Sequence, residues 1–499
     1  MSVHDLAFEL ARLLMSDVGA PKWPQRPPKL DFAVDDQITG QLEATINQDA
    51  RFAELDVAII DFSGSSPRVG MSSRPDNSSF IASMAKLGII YAAFQLREDV
   101  RNVVRENIKQ SSDGNGTFQQ LTDADRLNKL KLDLQTFWKS NSNHLMRDEI
   151  DAATGKKTGK AVAERADIGR LEYIFTLNTL QDSPPDPNKI DFIGIEQCGL
   201  DKLDVIPSAA VQEVISRLDS FPHGKNSPEN WRNVAELDFA ARLWMGLAWS
   251  DNVAASTCVW DIGLPYIQAL LLDSSLFDGS NGLYLVRNYI PSPPAGTRFG
   301  NTPTYFPPNT VGPVQRGTVR ALTALMIAIE RGELISDAAS ADMQRLLRPV
   351  RFATSGLANA GDTRVPNALG RGPADPVERH PTDALIKGGV NREEVKNRQT
   401  NRVTALSIAC DWEYLKFGNQ PRLQSMGIII LFSKIAHGIP DQLIADRSNT
   451  SDAPAAKAKA NAARVKISRM LRQAEDDAES LLRDFAVAAG QTFNSLIGP

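Results

Sequence analysis

Apolar positions fall into short blocks separated by long polar stretches, and each block carries a recognisable period. Residues 4–16 repeat at helical spacing and predict an amphipathic helix. "PKWPQRPPKL" (21–30) predicts an extended, Pro-rich linker. A helix is expected near 36–48. "LDVAIIDFSG" (55–64) is rich in β-branched residues and closes on Gly and Ser, as a strand would, with "RVGMSS" (68–73) placed to pair with it as a hairpin. From Phe80 to Phe94 every position is apolar or small except Ser83 and Lys86, which predicts a buried helix. Residues 97–235 are polar, helical in pattern and broken at "SSDGNG" (111–116) and "DSPPDPN" (182–188). Residues 236–256 predict an apolar helix, a short turn and a second helix. Residues 278–313 are rich in Gly, Pro and aromatics and predict an ordered surface loop. Residues 318–335 predict a helix stopped by Gly332. Three strands are expected at 384–390, 403–412 and 426–434. The stretch 455–496 predicts a helix with an apolar stripe through Val465, Ile467, Leu471 and Leu481.

Strands first, helices in the middle and strands last imply one sheet assembled from both chain ends. The expected class is α/β (α+β), an antiparallel sheet with flanking helices and an enlarged all-helical lobe. The expected divisions are an N-terminal helix and arm (1–35), the first part of the sheet domain (36–96), a helical lobe with an insertion (97–379), the closing strands (380–445) and a C-terminal helix (446–499).

Composition narrows the function classes. The 499 residues are 42% hydrophobic and 23% charged, with a net charge of -5. That balance argues against a nucleic-acid binder, and no apolar run reaches the length of a membrane span. The first twenty residues do not read as a secretory leader, which favours a cytoplasmic location unless a leader has been removed. The three cysteines and five histidines show no disulfide framework and no metal-ligand spacing. No metal and no cofactor are expected. The expected partner is a small-molecule or peptide-like substrate, and the oligomeric state is not legible.

Three short motifs carry candidate chemistry. Ser83 and Lys86 stand at i and i+3, on one face of a helix. A lysine in apolar surroundings loses affinity for its proton, and a neutral amine beside a hydroxyl can activate it as a nucleophile. The alternative is a serine bonded back to its helix and a lysine extending outward. Ser250-Asp251-Asn252 occupies a turn between two apolar helices, where it is either part of a cleft or a helix N-cap. Lys387-Gly388-Gly389 lies in a strand, where an inward lysine would supply positive charge and the glycines would permit close backbone approach. Lys157-Thr158-Gly159 is also a literal K-T-G, but it lies in a hydrophilic stretch expected to hold no strand and is rejected for want of context.

The order S-x-x-K, S-D-N, K-x-G resembles the serine β-lactamase and penicillin-binding-protein superfamily, in its class A-like form. "LDFAARLWMGLAWSDNVAASTCVWDIG" is similar to the class A helices around S-D-N, and "NTVGPVQRGTVRALTALMIAIERGELIS" to the helix after the omega loop. The resemblance covers about half of the chain and omits the N-terminal arm and much of 97–235. It implies acyl transfer through a covalent acyl-serine. Ser83 is then the nucleophile, Lys86 the general base and Ser250 a proton relay, with Lys387 supplying positive potential. Asn252, Gly389 and Val390 would bind substrate, with the N–H groups of Ser83 and Val390 forming an oxyanion hole. Two departures stand out. Gly388 replaces the family's Thr or Ser, leaving Arg392 as a substitute carboxylate ligand. The chain also has no glutamate between Asn252 and Glu330, so Asp273 and Asp278 are the acidic residues left near the omega-like loop. Slow release of the acyl group is expected. The alternatives are a non-catalytic binding or scaffold protein on the same fold and a true β-lactamase with another deacylation base.

Overall fold

The computed structural model describes residues 32–496, except 112–116, 143–145, 151–152, 155, 164–167, 196–226, 249, 275, 277–281, 286–287, 291, 300–314, 348–382 and 418–423. The helix expected at 4–16 and the linker at 21–30 lie outside the described residues.

Helix α1 (Asp36–Ile46) begins at Asp35, whose carboxylate accepts a hydrogen bond from the Ile38 N–H. Strands β1 (Asp56–Asp61) and β2 (Arg68–Met71) form the expected hairpin. The short strand β3 (Ser79–Phe80) leads into a 3-10 turn, Ala82–Ala85, and then into α2 (Lys86–Gln110). Every residue of α2 from Lys86 to Val100 is buried: the run to Phe94 is apolar on all sides after Lys86, and the polar residues from Gln95 to Asp99 are buried with partners such as those of Arg97.

The next region departs from an all-helical lobe. After α3 (Asp123–Asn141) come two antiparallel strands, β4 (Met146–Ile150) and β5 (Lys157–Ala163), which form their own sheet. Lys157-Thr158-Gly159 therefore lies on a strand, contrary to expectation. Among the described residues that strand pairs only with β4, and the main sheet has no part in it. Helices α4 (Pro228–Ala235), α5 (Phe239–Ala248), α6 (Asn252–Ile262) and α7 (Leu264–Asp273) follow. Short strands β6 (Tyr284–Leu285) and β7 (Gln315–Gly317) join β3 in a small sheet. Helix α8 (Val319–Glu330) ends before Gly332, which adopts φ +70°, the left-handed geometry a glycine accepts readily. Helix α9 (Asp337–Leu347) completes the lobe.

The closing strands are longer than their apolar blocks: β8 (Asp383–Lys396), β9 (Val403–Phe417) and β10 (Gln424–Ile439). Helices α10 (Asp441–Arg447) and α11 (Pro454–Leu496) follow. The main sheet runs β2-β1-β10-β9-β8, antiparallel throughout, so both chain ends contribute and β8 is an edge. Alternation divides two cores. Ala58, Ile60, Ile429 and Trp412 face the helical lobe, whereas Val57, Ile59, Ile428 and Ile430 face α1 and α11. Each fully buried side chain of this kind contributes roughly 1.5–3 kcal/mol. On α11 the stripe holds at Ile467 and Leu481, but Val465 is exposed. Among the described residues no single helix is long and apolar enough to cross a membrane.

Salt bridges cement the lobe. Arg97 of α2 is 1% exposed and bonds Asp191 at 2.9 Å and Asp342 at 3.0 Å. The fully buried carboxylate of Asp261 takes Arg242 at 2.6 Å and Arg298 at 2.7 Å.

Candidate active site

Ser83 lies in the 3-10 turn at the foot of α2, half-buried, and Lys86 is the first residue of the helix proper. The turn is fixed by an unusual backbone. Ala82 adopts φ +44°, a conformation disfavoured for a residue with a Cβ. Such geometry persists only where its surroundings enforce it. Here the Met84 N–H donates to the Ile81 carbonyl, and that carbonyl also accepts from Cys410 Sγ at 3.3 Å. The Gly389 carbonyl lies 3.4 Å from the same sulfur and shares its single proton, so one buried thiol ties β8 and β9 to the turn.

Gly389 is where β8 meets the turn. A Cβ there would stand 2.7 Å from the Ile81 carbonyl oxygen and 3.0 Å from the Ser83 nitrogen. The close approach expected of this glycine is thus made by the protein's own backbone, with β8 pressed against the candidate nucleophile.

Ser250 also adopts a left-handed backbone, φ +57°. That turn aims its carbonyl at Lys86, whose Nζ donates to it at 2.6 Å. Lys86 donates further to Ser250 Oγ at 3.3 Å, to the Asp251 carbonyl at 3.5 Å and to Asn252 Oδ1 at 3.0 Å. Lys387 reaches the same hydroxyl from the sheet side, at 2.9 Å, and donates to the Gly388 carbonyl at 3.0 Å. A hydroxyl has two lone pairs and one proton. With both lone pairs facing lysines, the Ser250 proton is left to point away from them. Asp251 holds the turn as a true N-cap, accepting from the Ala254 N–H at 2.8 Å. The cap and the site are therefore the same three residues.

Burial and the neighbouring Lys387 drive the Lys86 amine well below the usual lysine range, opposed by the negative charge of Asp251. Every hydrogen bond that Lys86 makes ends on a neutral oxygen. None goes to Ser83, so the lysine stands drawn toward the 250–252 turn.

Not all expected residues converge. Alternation along β8 sends Lys387 and Gly389 to the lobe face, while the Val390 side chain packs with the second core, a placement that does not bear on its backbone N–H as an oxyanion donor. Arg392, on the same face as Val390, pairs with Glu475 of α11. The structure does not bring it to the cluster as a carboxylate ligand. Asp273 accepts from Ser142 Oγ at 2.6 Å and so ties α7 to the end of α3. Asp278 lies outside the described residues.

Two participants escaped the sequence reading. One is Cys410. The other is Tyr289, whose ring centroid lies 4.7 Å from Lys86 Nζ and whose hydroxyl donates to the Ala82 carbonyl at 3.4 Å. It belongs to the Gly/Pro/aromatic stretch, expected to be an ordered loop. Helix α6 supplies the order: Ser256 accepts the Ile290 N–H on its hydroxyl and the Asn288 amide on its carbonyl, both at 2.9 Å. Among the described residues no cluster of three or more His, Cys, Asp or Glu has the placement to hold a metal.

No family model and no curated protein matches the chain. The solved structures to which it is similar include a β-lactamase from Xanthomonas campestris pv. campestris, at 13% identity and TM-score 0.31, covering 93% of this chain and 98% of that one. They include the TLA-3 extended-spectrum β-lactamase, at 10% identity and TM-score 0.34, covering 91% and 99%. A β-lactamase from Desulfarculus baarsii is 10% identical with TM-score 0.32, covering 94% and 100%. At such scores the likeness says nothing of chemistry, which rests on the residues themselves.

Proposed function

We propose that the chain is a serine hydrolase or acyltransferase that works through an acyl-Ser83 intermediate on an amide, β-lactam or ester. The observation that carries this reading is the convergence of Lys387 and of Lys86, which stands three residues along the chain from Ser83, on the Ser250 hydroxyl. A neutral Lys86 takes the Ser83 hydroxyl proton as that oxygen attacks the substrate carbonyl carbon. The tetrahedral oxyanion then collapses, the bond to the leaving group breaks, and Ser250 passes a proton to the departing atom. Lys86, now carrying the proton taken from Ser83, restores the Ser250 proton across their 3.3 Å contact, while Lys387 keeps its charge and holds positive potential over the developing charge. Asn252 positions both Lys86 and substrate. Asp273 is engaged with Ser142, so no described carboxylate is assigned to activate water, and the acyl group is released slowly.

A second reading is favoured by one observation: Lys86 bonds the 250–252 turn and not Ser83, as in a scaffold that keeps the fold and no activity. Fluorescent penicillin and a fluorophosphonate, each applied to the wild type and to Ser83→Ala, separate the two. Stable labelling that depends on Ser83 is the expected result. Rapid consumption of a chromogenic β-lactam points instead to an efficient β-lactamase with another base. Labelling that persists in Ser83→Ala, or no labelling by either reagent, sinks the acylation reading.

A further inference from the structure

Lys86 has a neighbour that no motif announces. Its hydrogen bonds run to residues 250–252, and the Tyr289 ring centroid lies 4.7 Å from its Nζ. The same phenol donates to the Ala82 carbonyl, so the side chain spans the nucleophile turn from its strained first residue to its lysine. Burial raises the Tyr289 hydroxyl well above the ordinary tyrosine range, helped by the nearby Cys410. The phenol therefore keeps its proton and is not a base. What it offers is an aromatic face, which attracts an ammonium ion and has little to offer a neutral amine.

We infer that Tyr289 is a positioning residue of this site, its ring holding Lys86 against the Ser250–Asn252 turn and favouring the lysine's charged form. The charged and titratable groups around Lys86 are Lys387 from β8, Asp251 at the start of α6, and Tyr289 itself, with Cys410 of β9 behind the phenol. Lys387 and burial favour the neutral amine, while Asp251 and the ring favour the ammonium. The ring thus sets how much neutral base is available at a given pH. Its consequence for catalysis rests on the acylation reading above; its effect on the lysine does not.

The test uses the full chain as wild type, Tyr289→Phe and Tyr289→Leu. The first variant keeps the ring and loses the hydroxyl; the second keeps an apolar side chain and loses the ring. Two readouts are taken: NMR titration of Lys86 in protein carrying ¹³Cε-lysine, assigned by a Lys86→Met control, and the pH profile of Ser83 labelling by fluorescent penicillin. In Tyr289→Leu the lysine is expected to titrate about one pH unit lower, a change of about tenfold in its protonation equilibrium. The acidic limb of the labelling profile moves with it. Tyr289→Phe is expected to stay close to wild type in both. A Leu variant that titrates like wild type overturns the inference, as does a Phe variant that shifts as far as Leu. Should neither probe label any form while the NMR shift appears, the acylation reading fails and the placement of Tyr289 stands.

Discussion

Lys86, Arg97 and Arg242 are buried to the same depth, at 1%, 1% and 2% exposure. Their surroundings differ. Arg97 faces the carboxylates of Asp191 and Asp342, and Arg242 faces Asp261, each within 3.0 Å. Lys86 meets two carbonyls, a hydroxyl, an amide oxygen and a ring. Where carboxylates answer a buried cation, its charge is locked and the pair works as a strut between helices. Where neutral oxygens answer it, the cation is held in place but its proton is loosened. Arginine suits the first task because its charge is permanent, and lysine the second because its proton can leave. One molecule uses both solutions, on helices that share one core.

Substitutions sharpen that contrast. Lys86→Met is expected to cut Ser83 labelling by about 10²–10⁴-fold, the usual contribution of a positioned base. It is expected to leave the urea midpoint unchanged or raised, because it removes a desolvated charge. A large loss of stability in this variant would place Lys86 among the struts. Asp261→Ala is expected to do the reverse, costing about 3–5 kcal/mol in urea denaturation by stranding Arg242 and Arg298, with the pH profile of labelling unmoved.

The third expectation concerns pH. The folded-state value of Lys86 lies below that of the unfolded chain. Between those two values the unfolded chain binds the extra proton, so stability rises with pH across that window and is lowest below it. The difference in unfolding free energy, wild type minus Lys86→Met, is expected to increase as pH rises toward the ordinary lysine range at about pH 10. A flat difference would show that the amine is not desolvated. The smallest effect is expected for Asp251→Ala, which loses the α6 cap and costs about 1 kcal/mol by thermal denaturation. It also removes a charge that favours the ammonium form, so the acidic limb of labelling moves to lower pH.

The parts of this arrangement that were readable in the chain are those where local pattern and tertiary role agree. The Phe80–Phe94 run is buried as its composition demands, which made Ser83 and Lys86 conspicuous. Ser250-Asp251-Asn252 was readable both as a turn and as a cap. The misses have physical reasons. Strand β8 outruns its apolar block because its far end, Glu393–Lys396, is exposed and largely polar and so shows no apolar alternation. The β4–β5 pair is polar and isolated, so the surrounding helical pattern masked it. Arg392 was assigned by closeness in sequence, whereas the two-residue period of β8 turns it to the opposite face, where Glu475 meets it. Tyr289 comes to Lys86 from 203 positions along the chain, through the hydrogen bonds of Ser256, and no local pattern encodes that meeting.

The five-stranded sheet also sets a schedule. Strand β1 ends at residue 61, and its neighbour β10 begins at residue 424. At a ribosomal rate on the order of 10 residues per second, β1 waits roughly half a minute for that neighbour to be made. For most of that interval, from residue 83 to residue 386, Ser83 is already synthesised while Lys387 is still untranslated. The lysine pair that frames Ser250 is therefore completed only when Lys387 is made, 304 residues after Ser83, and a ribosome stalled before β8 carries a nascent chain with Ser83 and Lys86 and without the second lysine.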